Sequence, residues 1–186
     1  MKSPSVTTVL SPFTDWDKIK RIIGENGLAY AADRGTRAHA ACTAYALGFP
    51  VVGLQDDCRG FLDSFRQWFD AYVDRVLFAE KRLYCKTYYF HGKADLCVQL
   101  IDGRVVIVDL KTPVMESPTW RSQVAAYKHL ANIHLESIGE PLRVSGAMAL
   151  QIKRDGKPAK ARRYDDTATD FDNFLHALVA FRAFKL

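Results

Sequence analysis

The run from Gly92 to Lys111 constrains the fold more than any other part of the chain. Gly92-Lys93-Ala94-Asp95-Leu96-Cys97-Val98-Gln99-Leu100 is followed, after Ile101-Asp102-Gly103, by Arg104-Val105-Val106-Ile107-Val108-Asp109-Leu110-Lys111. Two apolar runs separated by a short Gly-containing turn read as an antiparallel hairpin. If Ile101-Asp102-Gly103 is a three-residue loop, Gly103 takes the left-handed position of a G1 bulge. Leu96 then faces Val108, Val98 faces Val106 and Leu100 faces Arg104. On the other face Asp95 opposes Asp109 and Cys97 opposes Ile107. A two-residue Asp-Gly turn slips the register by one and puts the two carboxylates on opposite faces. The three-residue loop keeps apolar residues with apolar ones and is the register expected.

That register has a chemical consequence. Directly opposed side chains have Cβ atoms roughly 4.5–5.5 Å apart. Two unpaired carboxylates at that separation repel, an arrangement that makes sense when a divalent cation lies between them. Asp95 is the more telling of the two, because a carboxylate in an apolar strand is costly to bury without a partner. Lys111, two residues after Asp109, projects to the same face. A carboxylate pair with an adjacent ammonium suits metal-assisted phosphodiester hydrolysis. The metal activates a water, and the lysine lowers its pKa or stabilises the developing charge.

Around this hairpin the chain reads as helices and further strands. Thr14 caps a short helix over Asp15 to Ile23, followed by a Gly24/Gly27 break. A second helix starts near Gly35-Thr36 and runs to about Leu47, closing at Gly48-Phe49-Pro50. A third covers about Asp57 to Val73, with Phe61, Phe65, Trp68, Phe69 and Tyr72 forming a core stripe. Three strands follow between about Leu77 and Thr112. Next comes a helix with Ser117 as N-cap and Pro118 in the first helical position, ending near Ile133. Val144 to Lys153 is a strand, Asp155-Gly156 turns it, Ala159 to Tyr164 returns as its partner, and Thr167 to Phe184 is a final helix. The order predicts an α/β fold with helices around a mixed sheet.

With 186 residues, 48% of them hydrophobic and 25% charged, the chain buries a substantial core as one domain, residues 1–186. Disordered, collagen-like and coiled-coil classes fail on that composition. The net charge is +5. Lys153, Arg154, Lys157, Lys160, Arg162 and Arg163 against the single acid Asp155 account for all of it. Such a basic hairpin fits a polyanion, with salt-sensitive binding. No apolar run is long enough to cross a bilayer, and Pro12 interrupts the short apolar stretch at the N-terminus, so a cytoplasmic protein without a membrane partner is expected. Cys42, Cys58, Cys85 and Cys97 are widely separated and read as buried thiols, not disulfides or zinc ligands.

Taken in order, Gly35-Thr36-x-x-His39, Glu80, Gly92-x-x-Asp95, Asp109-x-Lys111 and Gln123-x-x-x-Tyr127 resemble the PD-(D/E)XK nuclease superfamily, in its RecB-type branch. The resemblance spans about residues 5–165, and the opening Val6-Thr7-Thr8-Val9-Leu10 is similar to standalone phage or prophage exonucleases. It implies a restriction-endonuclease-like core, a central mixed sheet of four to five strands flanked by helices. It further implies that His39, Asp95 and Asp109 ligate the metal with the Leu110 carbonyl, and that Lys111 is the catalytic lysine. Glu80 would order water or a second metal. Gln123 and Tyr127, one helical turn apart, would line the active site or hold the nucleic acid. Arg34, just before the first motif, and Thr36, within it, join the basic hairpin as expected nucleic-acid-binding residues.

The expected cofactor is Mg²⁺ or Mn²⁺, one or two ions, with imidazole at His39 favouring the transition metal. No iron–sulfur cluster is expected, since all four cysteines precede Asp109. No phosphate-binding glycine loop occurs, so no nucleotide cofactor is expected. Leu96 stands where helicase-linked relatives often carry arginine, which points to a standalone enzyme. The activity implied is a metal-dependent DNA exonuclease of recombination, repair or phage DNA processing, in a bacterial cytoplasm or phage-infected host. The alternatives are a structure-specific or single-strand endonuclease, and a non-catalytic DNA-binding protein on a decayed nuclease fold. Intact His39, Asp95, Asp109 and Lys111 argue against decay. Oligomeric state stays open.

Overall fold

Strands β1 (Val73–Cys85), β2 (Phe90–Leu100) and β3 (Val105–Lys111) form an antiparallel meander. This computed structural model describes residues 3–184. Leu96↔Val108, Cys97↔Ile107 and Val98↔Val106 are paired, the register expected of the three-residue loop. Gly103 has φ +85°, and its N–H donates to the Leu100 carbonyl at 2.8 Å. Only glycine holds that left-handed position without strain.

Helix α4 (Thr119–Ser137) then crosses over to β4 (Val144–Gln151), which lies parallel to β3. β5 (Lys160–Arg163) returns antiparallel on the outer edge. A parallel pair needs such a crossover, and the helix covers one face of the sheet. The order is therefore β1-β2-β3-β4-β5 in a five-stranded mixed sheet flanked by helices.

The strand pleat divides the core in two. On one face Phe90, Ala94, Cys97 and Ile107 pack against Val124, Tyr127 and Leu130 of α4, Phe174 of α5 (Thr167–Phe184), and Val6 and Val9 of α1 (Val6–Leu10). On the other, Leu96, Val98, Val106, Val108 and Leu150 meet α2 (Trp16–Ala46) and α3 (Asp56–Tyr72) through Ala38, Cys42, Phe61, Phe65 and Trp68. The aromatic stripe of α3 is core, as its spacing predicts. All four cysteines are free and buried. No helix among the described residues is long and apolar enough to cross a membrane.

Several helix boundaries differ from expectation. Asp15, not Thr14, caps α2, its Oδ1 accepting from the Lys18 N–H at 2.9 Å. The helix does not begin at Gly35. It is interrupted only at Gly24 (φ 71°, ψ 167°) and runs on through Gly27 and Gly35, whose glycine cost, about 1 kcal/mol each, the packing of the later turns overrides. Pro118 is itself the N-cap of α4, and the helix continues past Ile133 to Ser137 before Gly139 (φ 71°) stops it.

Because β3 and β4 are parallel, their C-terminal ends share one edge of the sheet. Lys111 pairs with Gln151, and the Ile152 N–H donates to the Lys111 carbonyl at 2.9 Å. Ligand sites of parallel strands gather at that edge. The basic β4–β5 turn leaves from the same edge and is clamped to α3. The Lys153 N–H donates to Ser64 Oγ at 2.9 Å, and Gln67 Nε2 donates to the Gly156 carbonyl at 2.7 Å.

Candidate active site

The β2–β3 hairpin brings two carboxylates to the sheet edge where β3 ends. Asp95 directly precedes the paired Leu96↔Val108, and Asp109 directly follows it. Asp95 Oδ2 accepts the Leu110 backbone N–H at 2.7 Å, which ties β2 to β3 beyond their last paired residues. Both side chains are largely withdrawn from solvent, 13% exposed for Asp95 and 5% for Asp109.

Each carboxylate has a cationic neighbour. His39, on the buried side of α2, places Nδ1 3.5 Å from Asp95 Oδ2. Lys111 Nζ lies 2.5 Å from Asp109 Oδ2. Lys111 Nζ also donates to Gln123 Oε1 at 2.8 Å and sits 5.5 Å over the Trp120 ring. Gln123 Nε2 donates to Asp109 Oδ1 and to the Tyr127 hydroxyl, both at 3.3 Å. The side chain of one glutamine on α4 therefore orients the lysine, one carboxylate and the tyrosine together.

Glu80 stands between the paired Ala79↔Leu96 and Lys81↔Ala94, hence across from Asp95. Its φ is +49°, a left-handed conformation inside a strand. Such strain costs on the order of 1–3 kcal/mol and concentrates at functional sites. The Glu80 carboxylate forms an ion pair with Lys93 and faces Thr43 of α2.

Burial and partners pull the two aspartates apart. Burial pushes the Asp109 carboxyl above the usual carboxylate range, the Asp95 charge adds to this, and Lys111 only partly offsets it. Burial acts on Asp95 in the same direction, but the His39 hydrogen bond and charge, with the Leu110 N–H, overturn it and hold that carboxyl low. Burial lowers His39, yet its bond to Asp95 outweighs this and raises the imidazole above its ordinary value. Burial, and then the charge of Asp109, keeps Tyr127 protonated.

Two helices are held in place by their own contacts. Arg37 donates to both Asp57 oxygens, at 2.9 and 3.1 Å, joining α2 to α3 two residues before His39. The Arg37 guanidinium and the Tyr30 hydroxyl bond hold the Asp57 carboxyl well below its ordinary value. At the other wall, a Cβ on Gly92 would lie 2.6 Å from the Tyr127 ring. The glycine of Gly92-x-x-Asp95 is what lets that ring lie against β2.

These residues line a cleft of about 360 Å³ that includes His39, Asp95, Asp109, Lys111, Gln123 and Tyr127. A larger hollow of about 580 Å³ beside Tyr45, Phe49 and Leu62 contains no acid or histidine. Among the described residues no group of three His, Cys, Asp or Glu side chains stands ready-arranged around a metal. The donor chemistry nonetheless fits a divalent cation: an imidazole, two carboxylates, both withdrawn from solvent, and the Leu110 carbonyl.

The expected nucleic-acid-binding residues are spread more widely. Arg34 lies between the rings of Tyr30 and Phe61, 5.4 Å from each centroid, and its buried Nε has no acceptor. The Thr36 hydroxyl donates to the Ala32 carbonyl of its own helix at 3.1 Å. Lys153, Arg154 and Lys157 lie on or beside the clamped turn, and Lys160 pairs with Gln151 at the edge where β3 and β4 end. Arg162 is committed to an ion pair with Glu116 and a contact to Gln151, and Arg163 pairs with Met148, farther along β4 from that edge. The cleft also takes in Ser5, Thr7, Arg82, His91 and Lys93, which sequence reasoning does not single out. The alternation of β1 against β2 is the signal available for the last three.

A family model described as the PD-(D/E)XK nuclease superfamily matches residues 25–183. A comparison with curated proteins returns no match.

Proposed function

The chain belongs to the PD-(D/E)XK nuclease superfamily, and from that membership we propose that it is a divalent-metal-dependent DNA nuclease acting as an exonuclease in recombination, repair or phage DNA processing. The observation that carries this reading is the single cleft in which Asp95, Asp109, Lys111, His39 and Gln123 meet. Residues 1–186 are read as one nuclease domain, since both cores share one sheet. The proposed site of action is the cytoplasm.

His39, Asp95, Asp109 and the Leu110 carbonyl would hold the cation. When bound, it supplies Lewis-acid polarisation of the phosphoryl group and a lowered pKa for an attacking water. Lys111, oriented by Gln123, places its ammonium where negative charge grows on the phosphoryl oxygens. Gln123, itself bonded to Tyr127, fixes the directions of Lys111 and Asp109 beforehand. Glu80, across from Asp95, would order water or a second metal ion. Lys153, Arg154, Lys157 and Lys160, with Arg34, supply the cationic approach for the phosphate backbone.

The test is digestion of end-labelled linear duplex, linear single strand and closed circular DNA with Mg²⁺ or Mn²⁺, beside Lys111→Ala. Loss of linear DNA alone, with the variant inactive, supports the exonuclease. Nicked or linearised circles make it an endonuclease. DNA binding without cutting in any divalent metal makes it a binding protein.

A further inference from the structure

Between Glu80 and Cys85, β1 carries polar residues on the face opposite the α4 core, and β2 answers each of them. After Glu80 across from Asp95 come Arg82↔Lys93 and then Tyr84↔His91. Leu83 and Cys85, on the alternate face, are buried in the core. Three successive rungs on one face of the ribbon are therefore carboxylate, cationic and aromatic, spaced roughly 7 Å apart by the strand rise.

The cationic rung puts two positive side chains directly opposite each other, which is destabilising without an anion. Lys93 finds one in Glu80. Among the described residues Arg82 has none. The aromatic rung is open: Tyr84 is 57% exposed, although its ring leans on the His91 ring at 5.6 Å and 31°. Arg82, His91 and Lys93 border the same cleft as Asp95 and Asp109. The face is thus a continuation of that cleft, not a separate surface.

We propose that this ribbon face is a seat for unpaired nucleic acid. Arg82 and Lys93 take the phosphate next to the one being cleaved, and the exposed Tyr84 ring stacks on a base. Charge complementarity selects a polyanion, and an exposed aromatic face beside cations is the arrangement that holds single strands. A base inside a duplex is already stacked on both sides and gains nothing from Tyr84. The seat deepens the nuclease reading, on which it rests, by making a single-stranded end the preferred occupant.

The experiment measures binding in the Lys111→Ala background, with fluorescent oligothymidylate and a fluorescent blunt duplex, without added divalent metal. Tyr84→Ala is expected to weaken single-strand binding by about fivefold to a hundredfold, the range of aromatic–base stacking, and to leave duplex binding unchanged. Tyr84→Phe restores it, and Arg82→Ala weakens it with a smaller salt dependence. Arg82→Ala carries the test by itself if Tyr84→Ala does not fold. Single-strand binding unchanged in both alanine variants, or equal losses for strand and duplex, overturns the proposal. Separately, failure of the parent protein to cut DNA in either Mg²⁺ or Mn²⁺ would overturn the nuclease reading and leave the binding result intact, and cutting by Lys111→Ala as fast as the parent would overturn only the role given to Lys111.

Discussion

Asp95 Oδ2 and the Leu110 backbone N–H, 2.7 Å apart, join β2 to β3 where ladder pairing has already stopped. The bond fixes the carboxylate of one strand against the strand that carries Asp109 and Lys111. It also uses one lone pair of an oxygen that faces His39. Structural and chemical duties therefore meet in one side chain and can be separated by substitution.

Asp95→Asn keeps an acceptor for Leu110 and removes the charge. Nuclease activity is expected to fall by roughly 10²–10⁴-fold, the scale for losing a positioned catalytic group, with a stability loss limited to the His39 pairing. Asp95→Ala loses the acceptor as well and leaves a buried N–H unpaired, a further cost of about 1–3 kcal/mol in stability. Activity and urea denaturation of the two variants, measured side by side, check the separation. Equal stability losses would show that the Leu110 bond contributes little.

Gln123→Ala tests orientation. The amide holds Lys111 at 2.8 Å and reaches Asp109 and Tyr127 at 3.3 Å. Removing it is expected to lower kcat by about 10–100-fold, the usual cost of losing an outer-shell partner, with KM for DNA little changed. Tyr127→Phe removes only the hydroxyl bond, leaving Lys111 and Asp109 held, and should cost less. A rise in KM at constant kcat would mean that Gln123 serves binding instead.

The hairpin register was legible in the sequence because a one-residue slip would have put Leu96 and Val98 on the wrong face. The placement of Asp95 and Asp109 followed from it. The convergence of His39, Gln123 and Tyr127 was reached only through the family's motif order, because long-range contacts leave no local periodicity. Continuity of α2 through Gly35 was not legible, since glycine propensity argued for a break and tertiary packing overrode it. The commitment of Arg162 to Glu116 was hidden for a related reason: the two are distant in sequence, and only the fold brings them together. Arg82 and Tyr84 were equally silent, because a charged or aromatic residue on a strand carries no signal of what its face adjoins.

Gly60→Ala tests how firmly the basic turn is set. A Cβ there would lie 1.8 Å from the Arg154 carbonyl oxygen and 3.0 Å from the Gly156 nitrogen. Backbone cannot yield as a flexible side chain does, so α3 and the turn must separate. A destabilisation of about 1–3 kcal/mol is expected, as for other overpacked sites. Displacement of Lys153, Arg154 and Lys157 should also flatten the salt dependence of DNA binding, by about one unit of slope for each phosphate that these side chains no longer neutralise. Chemical denaturation and a salt titration of binding give the two readings.

His129 sets a pH dependence outside the cleft. It stacks on Phe171 at 4.2 Å and 20°, faces Phe90 at 6.4 Å, and has Cys85 Sγ 3.7 Å from Nε2. Burial in this aromatic surround holds its pKa below the ordinary value, so the folded protein favours the neutral ring. The unfolded chain takes up a proton near pH 6.5, roughly, before the folded one does. The His129 contribution is therefore fully present above that pH and is lost as the pH falls toward the depressed folded value. His134, lowered by burial and then by Lys81, acts with the same sign. His39 acts oppositely, because its raised value adds stability at low pH that is lost as the pH rises. Urea midpoints at about pH 8 and about pH 5 should fall on acidification in the parent and fall less in His129→Phe, which keeps the ring stacking without the titration. An unchanged pH slope in that variant would show that the ring carries its proton in the folded state as readily as in the unfolded one.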